Sequence, residues 1–475
     1  MSLMARVESL KWILRELSRS KAGVTGLAMI LLFLSVSLYV VAMVPISEME
    51  KWNRLDLWLD NPPSTPPRWV TLFTGENVPE TSVIESRGSE AVPLGEASGI
   101  YDIEATIRYD FHYDDFPSSL ILSITATYHK GQPSVHVTWE KPDGAKITLV
   151  DQMLPSLPGE PPYVAATRFY LSTDPDVKMR LSGYIYEETG LMQPIEGIMP
   201  EKVLFSEIAS GSHLEDAKPL KGRYRLRVSL RGFDERDRID AVKLSIGGKV
   251  HGLIGTDSYR RDLLLGILWG TPIALLVGLL TAAVSTFSGL ILGAVSGFYL
   301  GAVDEVIQRF TDFMMSIPAL PILILLSFLL KPSIWNIILL LALFGWMGVC
   351  KVARSMAIQL RGEAYVEAAR SMGASDTWII LHHIMPQLLP YMFAQAALTV
   401  PSAIISEAAL SFLGLGDPSI VTWGKILHDA QIAGAAVNNY WWWVVTPGIL
   451  IALVALSFSL LGNALDRILQ PKLRR

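Results

Sequence analysis

The chain of 475 residues is 51% hydrophobic with a mean hydropathy of +0.36, which excludes a string of ordinary soluble domains and points to a membrane protein. A formal net charge of −5 offers no basic surface for nucleic acid, and the one cysteine, Cys350, excludes an intramolecular disulfide framework. Any soluble portion must therefore be held together by its own core.

Residues 1–21 carry Arg6, Lys11, Arg15, Arg19 and Lys21 and read as a cytoplasmic segment. The apolar run that follows, over 22–45 and closed by Pro45, is long enough to span a bilayer and longer than the roughly 7–15 apolar residues of a signal peptide. The basic flank predicts a retained first span with its N-terminus in the cytoplasm. Residues 46–255 have charges throughout, many prolines and no long apolar run, so a soluble insert is expected on the far side of the membrane. Its opening, from Trp52 to Trp69, is rich in Trp and Pro and predicts a position at the membrane interface, where indoles are favoured.

Period-two alternation predicts strands over 103–109, 120–127, 134–140 and 145–150, with Lys141-Pro142-Asp143-Gly144 as a hairpin turn between the last two. Further strands are predicted over 179–186, 224–230 and 241–246. Short strands separated by Gly, Pro and Asp clusters indicate an all-β sandwich or barrel. His112, His129, His136 and His213 are scattered without metal-ligand spacing, so no metal site is expected.

Residues 256–475 read as a helical membrane core with spans at about 263–299, 313–330, 334–352, 388–413 and 441–461. With the first span this makes six transmembrane helices, both termini inside, and the all-β domain inserted between helices 1 and 2. Arg309, Lys351, Arg354, Arg361, Arg370 and Arg467 then fall on the cytoplasmic side. Gly278, Gly289, Gly293 and Gly297 predict closely packed helices, and Pro272, Pro318, Pro321, Pro401 and Pro447 predict kinks or a solvated path.

Between two spans, residues 361–387 form a polar loop. Glu363, Ala364, Glu367, Ala368, Ala369 and Arg370 favour a helix, Gly373 a left-handed stop, and Ser375 or Asp376 a new cap, giving a helix–turn–helix. Small residues at Ala364, Ala368 and Ala369 would let another surface approach the backbone. Glu367-Ala368-Ala369, with Gly373 six residues after the Glu and Ile384-x-Pro386 beyond, resembles the E-A-A-x-x-x-G motif of ABC-importer permeases.

Three other stretches narrow the resemblance to the inner-membrane permeases of dipeptide, oligopeptide and nickel importers, and to their second, C-type subunit. Gly255-Thr256-Asp257 with Arg261-Asp262 resembles G-T-D-x-x-G-R-D, with Arg260 in place of Gly. Gly301, Asp304, Arg309, Asp312 and Pro318 resemble a G-x-x-x-D…R-x-x-D…P stretch. Glu407 to Gly416, followed by Trp423-Gly424, is the third. Against the family's G-D-x-L-R-D-x-L-D-P ending, this chain has Gly462-Asn463-Ala464-Leu465-Asp466-Arg467 and then Ile468 to Pro471, and the insert exceeds the usual outer loop.

The resemblance implies a multi-pass subunit of the cell membrane that forms half of a translocation pathway for peptides, or alternatively for oligosaccharides or nickel chelates. It implies a homologous second permease, two ABC ATPase subunits and an extracellular solute-binding protein as partners. No G-x-x-x-x-G-K-[ST] phosphate loop is present, so the chain is expected to be no enzyme and to hold no cofactor, with ATP and Mg²⁺ bound by the ATPases. The coupling residues implied are Glu367, Ala368, Ala369, Gly373, His383 and Pro386. Glu367 either meets a basic group of the ATPase or pairs with Arg370 at i+3. Asp304, Arg309, Asp312 and Glu407 are pathway or gating candidates, with solvated loop charges and structural bonding as the competing roles. The insert is expected to dock or orient the binding protein or to contact the partner permease's outer face, with a spacer role as the alternative. A membrane receptor with an outer sensory domain is the reading from another class.

Overall fold

Residues 15–89, 91–93, 99–208 and 217–469 are described by a computed structural model, which separates into a unit Leu55–Asp262 and a second unit formed by the rest of the chain. Arg6, Lys11, His213 and residues 470–475 lie outside the described residues. Helix α1, Lys21–Met43, starts where the Ser20 hydroxyl accepts a hydrogen bond from the Gly23 N–H.

Among the described residues the Leu55–Asp262 unit has nine strands: β1 (Ser82–Ser86), β2 (Val92–Pro93), β3 (Tyr101–Phe111), β4 (Ser119–Tyr128), β5 (Ser134–Glu140), β6 (Lys146–Met153), β7 (Tyr163–Phe169), β8 (Gly222–Gly232) and β9 (Arg238–Gly247). They form two antiparallel sheets, ordered β1-β9-β4-β7 and β2-β3-β8-β5-β6. Along β3 and β8 buried and exposed residues alternate, and the inward set from both sheets forms one hydrophobic cluster. Trp139 anchors it, with its indole N–H donating to the Leu204 carbonyl at 3.1 Å and its ring packed on Phe205 and Tyr224. The turn at Lys141–Gly144 forms as predicted, with Gly144 at φ +90°.

The unit is not all-β. Residues expected as a strand over 179–186 lie in helix α2, Pro175–Thr189, and a second short helix spans Pro200–Phe205. The Asp174 carboxylate caps α2 by accepting from the Asp176 and Val177 N–H groups, Pro175 opens it, and Gly190 at φ +73° closes it. Val177, Leu181 and Ile185, spaced four apart, are its buried face. Tyr184, Ile185 and Tyr186 are β-prone side chains, but caps and helical spacing prevail over that local preference.

In the helical unit, α3 (Leu263–Tyr299) is followed by α4 (Gly301–Ser316), α5 (Ala319–Leu329), α6 (Ile334–Arg361), α7 (Ala364–Ser371), α8 (Met385–Phe412), α9 (Trp423–Ile432) and α10 (Trp441–Leu469). Among the described residues five helical stretches are long and apolar enough to cross a membrane; α4 and α5, bent by 85° at the break before Pro318, bring the number to six if the pair is one crossing. The span expected over 313–330 is broken at Pro318, one of the prolines expected to kink the spans, where Ile317 is extended and divides α4 from α5. Helices α3 and α6 meet backbone to backbone: a Cβ on Gly289, Gly293 or Gly297 would lie about 2.4–2.5 Å from the carbonyl oxygens of Trp346, Cys350 and Arg354 respectively. Both series repeat every four residues, so only glycine permits this approach. Trp52, expected at the membrane interface, is fully buried, and its ring occupies the place that a side chain at Gly266 would need.

Candidate coupling site

The polar loop is built on the ends of α3 and α6. Helix α6 stops at Gly362, Glu363 starts α7, and Val366 and Ala369 of α7 pack into a cluster with Phe298, Ala357, Ile379 and Leu388. Gly373 then adopts φ +86° with open space around its Cα, and the Ala374 N–H closes the turn on the Ala369 carbonyl. The Ser375 hydroxyl accepts from the Trp378 N–H to begin the helix Asp376–Ile379, which continues through a π turn at Ile380–Ile384 into α8. Pro386 and Pro390 have no N–H to donate to the preceding turns, which accounts for a widened register there.

The two faces of α7 divide the predicted residues. Glu367, Ala368 and Met372 point to solvent, Met372 being 82% exposed, whereas Ala369 is buried in the scaffold. Ala369 thus supports the loop and is not part of its outward small-residue face. Arg370 pairs with Asp376 at 3.6 Å and lies over the Phe298 ring, so the i+3 pair with Glu367 is not made. Glu367 has no ion-pair partner among the described residues. Tyr365, Met372, Gly373, Trp378 and His383 line a shallow concavity of roughly 670 Å³, floored by Ala369. Trp378 stacks on His382 at 4.6 Å and meets His383 edge-on. The Tyr365 phenol is raised above its ordinary pKa by burial, with the Glu363 carboxylate adding to it. Pro386 is exposed on the next turn.

The pathway candidates do not form one cluster. Asp304 on α4 accepts from Arg354 Nε at 2.6 Å and Nη2 at 2.5 Å, and from the Ser296 hydroxyl of α3 at 2.5 Å. Gln308 donates to the same Ser296 oxygen at 2.9 Å. One turn up α6, Lys351 pairs with Asp312. Arg309 points away, 80% exposed, and pairs with Glu305 at 3.8 Å. Arg354 carries no local signal as the partner of Asp304, because the pair is joined across 50 residues and depends on the α3–α6 glycine contact for its register. Glu407 is buried at 3% exposure, accepts from the Ser411 hydroxyl at 2.6 Å and bonds to Thr422 ahead of α9. It therefore joins the end of α8 to the start of α9.

Long apolar helices packed through glycine, a broken helix pinned by ion pairs and a solvent-facing helix–turn–helix between two long apolar helices define an integral membrane protein. A profile described as "Binding-protein-dependent transport system inner membrane component" matches residues 289–475. The chain is 34% identical over 222 residues to the dipeptide transport system permease protein DppC of Bacillus subtilis, spanning 46% of this chain and 69% of that protein. It is 32% identical over 222 residues to the oligopeptide transport system permease protein OppC of the same organism, spanning 46% and 72%. To the glutathione transport system permease protein GsiD of Pectobacterium atrosepticum it is 31% identical over 243 residues, spanning 51% and 80%. The chain belongs to this family of inner membrane components of binding-protein-dependent transport systems and is a permease subunit of an ABC importer. The profile match leaves out the whole Leu55–Asp262 unit.

Proposed function

We propose that this subunit forms half of a peptide pathway and docks to ATPase subunits through residues 361–387. The observation that carries the reading is the outward face of α7: an unpaired Glu367 beside Ala368, Met372 and the left-handed Gly373, held on a buried floor of Val366 and Ala369. A rigid protrusion with a free carboxylate on its outward face and an apolar rim suits a partner groove with a basic group. Peptides are favoured as cargo because the similar proteins are named for dipeptide, oligopeptide and glutathione transport. A homologous second permease completes the pathway, two ATPases bind ATP and Mg²⁺, and a solute-binding protein delivers the cargo.

In this reading α1 leaves the cytoplasm, the Leu55–Asp262 unit is extracellular, α4 and α5 count as one crossing, and both termini are cytoplasmic. The basic residues Arg309, Arg361 and Arg370 support that orientation. Exposed Leu191, Met192, Ile195 and Met199, in the loop after α2, support docking of a binding protein by the outer unit over a spacer role. ATP binding by the partners would move α7 and favour one of two states of the bundle. Asp304–Arg354 and Glu407 then serve as braces within the moving parts.

The test is co-expression with the neighbouring transport genes, detergent purification and ATPase assay. Glu367→Lys is expected to lower ATPase recovery about tenfold with an unchanged melting temperature, in keeping with loss of one interface anchor. Equal recovery of ATPase with the variant would overturn the docking assignment.

A further inference from the structure

Two segments of the Leu55–Asp262 unit lie side by side at the end where the chain enters and leaves it. The Ser64 N–H donates to the Asp257 carbonyl at 2.8 Å, the Thr65 N–H to the Thr256 hydroxyl at 3.0 Å, and the Arg68 N–H to the Gly252 carbonyl at 3.0 Å. The His251 N–H in turn donates to the Pro66 carbonyl at 2.9 Å. Pro62, Pro63, Pro66 and Pro67 stiffen the first segment.

On this platform sits a one-turn helix, Thr71–Thr74, ended by Gly75 at φ +68°. Leu72 is 82% exposed, Phe73 83% and Leu253 61%. The Trp69 indole N–H donates to the Leu253 carbonyl at 2.9 Å, and its ring meets Phe73 edge-on at 6.1 Å, so the aromatic pair is held in place. A fixed knob of Leu, Phe and Trp has no reason to face water, since each of these side chains is more stable away from it.

Connectivity decides what covers the knob. Leu253 is ten residues before Leu263, the first residue of α3, and Leu55 follows directly on the part of the chain that begins with α1. Both ends of the unit are thus tied to membrane-crossing helices at the same place. We propose that this knob is a lipid anchor, with Leu72 and Phe73 inserted at the boundary between headgroups and acyl chains and Trp69 at headgroup level. Tryptophan favours that level, with its apolar body in lipid and its N–H bonded. The anchor would restrain the tilt of the unit. This inference rests on membrane insertion alone and stands whether or not peptides are the cargo.

The test uses the full chain, reconstituted with its membrane partners in nanodiscs of phosphatidylcholine and phosphatidylglycerol. Cys350 is fully buried, so an environment-sensitive fluorophore can be placed by Leu72→Cys, with Glu235→Cys and Leu38→Cys as references. Glu235 precedes β9 at its opposite end, about 30 Å from Gly247 at the rise of a strand. Leu38 lies on the exposed face of α1. Phosphatidylcholine carrying a nitroxide near the headgroup is expected to quench position 72 by about half or more, to quench position 38, and to spare position 235. Adding Phe73→Asp should abolish the quenching at 72 and retain it at 38. Quenching at 38 without quenching at 72 overturns the proposal, as does quenching at 72 that appears only when the partner subunits are left out, which would mean that protein covers the knob. Equal quenching at 72 and 235 also overturns it.

Discussion

The Leu55–Asp262 unit and the helical unit solve the packing problem by opposite means. In the first, large side chains from two sheets interlock, with Trp139, Phe205, Tyr224 and Phe111 at the centre. In the second, α3 and α6 touch through Gly289, Gly293 and Gly297, and polar side chains join the helices that glycine brings together. The difference follows from the solvent. Water rewards the burial of apolar side chains, whereas lipid tails are as apolar as the helix surface, so close approach and hydrogen bonds must hold a membrane bundle.

That contrast is broken most severely by exchanging the two means. Gly293→Leu would place a side chain where Cys350 O and the Ala353 side chain already stand, at 2.4 and 2.6 Å from the first carbon alone. We expect loss of the folded bundle, read as aggregation in detergent and cleavage within α3 and α6 on limited proteolysis. Trp139→Ala leaves a hole in the sandwich worth about 3–5 kcal/mol. Its new cleavage sites should be confined to residues 55–262, with the spans still protected. Cleavage in both units from either variant would show that they do not fold independently.

Next in size is the pinning of α4. Asp304 makes a two-pronged bond to a partly buried Arg354 and a third bond to Ser296, whereas the pair Asp312–Lys351 is about half exposed on both sides. Asp304→Asn should cost about 1.5–3 kcal/mol, as for a lost charged hydrogen bond, and Asp312→Asn no more than about 1. Thermal unfolding of the purified chain measures both, and the Asp304→Asn, Arg354→Gln double variant should cost less than the two single changes added together. Equal effects at 304 and 312 would refute the distinction.

How much could be read in advance follows the same divide. Strands β3, β4, β5, β8 and β9 were legible because alternation needs only local order. The α7 turn was legible because Gly373, Ser375 and Glu367-Ala368-Ala369 each carry a conformational preference. The capped helix at Asp174-Pro175 was equally written in local signals but was masked by the β-prone Tyr184, Ile185 and Tyr186. The break at Pro318 was visible as a proline, whereas the 85° bend between α4 and α5 was not. The partners of Asp304 and the inward turn of Ala369 were not legible, since both depend on contacts between distant helices.

A pH effect separates the units further. Glu201, in the Pro200–Phe205 helix of the sandwich, is buried, and burial raises its pKa above the ordinary carboxylate value against the smaller opposing influence of Ser172 and Lys178. A raised carboxyl pKa stabilises the folded state at low pH, and that stability is lost as pH rises through the folded pKa. Glu201→Gln should remove this dependence and leave the unit more stable than the wild type at neutral pH. Unfolding followed by proteolysis within 55–262 at several pH values measures it; an unchanged slope would show that Glu201 is not the group responsible.

The smallest effect concerns Arg260, where the family pattern has glycine. Its φ of +67° is the left-handed conformation that glycine adopts freely and other residues adopt at a cost of about 1–2 kcal/mol. The side chain offsets that cost: its guanidinium donates to the Asn61 carbonyl at 2.8 Å and the Leu59 carbonyl at 3.2 Å, tying the incoming segment to the outgoing one. Arg260→Gly loses the bonds and the strain together, so stability should stay within about 1 kcal/mol of the wild type. Arg260→Ala keeps the strain and loses the bonds, and should fall below both. A melting temperature for the alanine variant equal to that of the glycine variant would mean that the turn is not strained, and that the arginine was accepted there for its bonds alone.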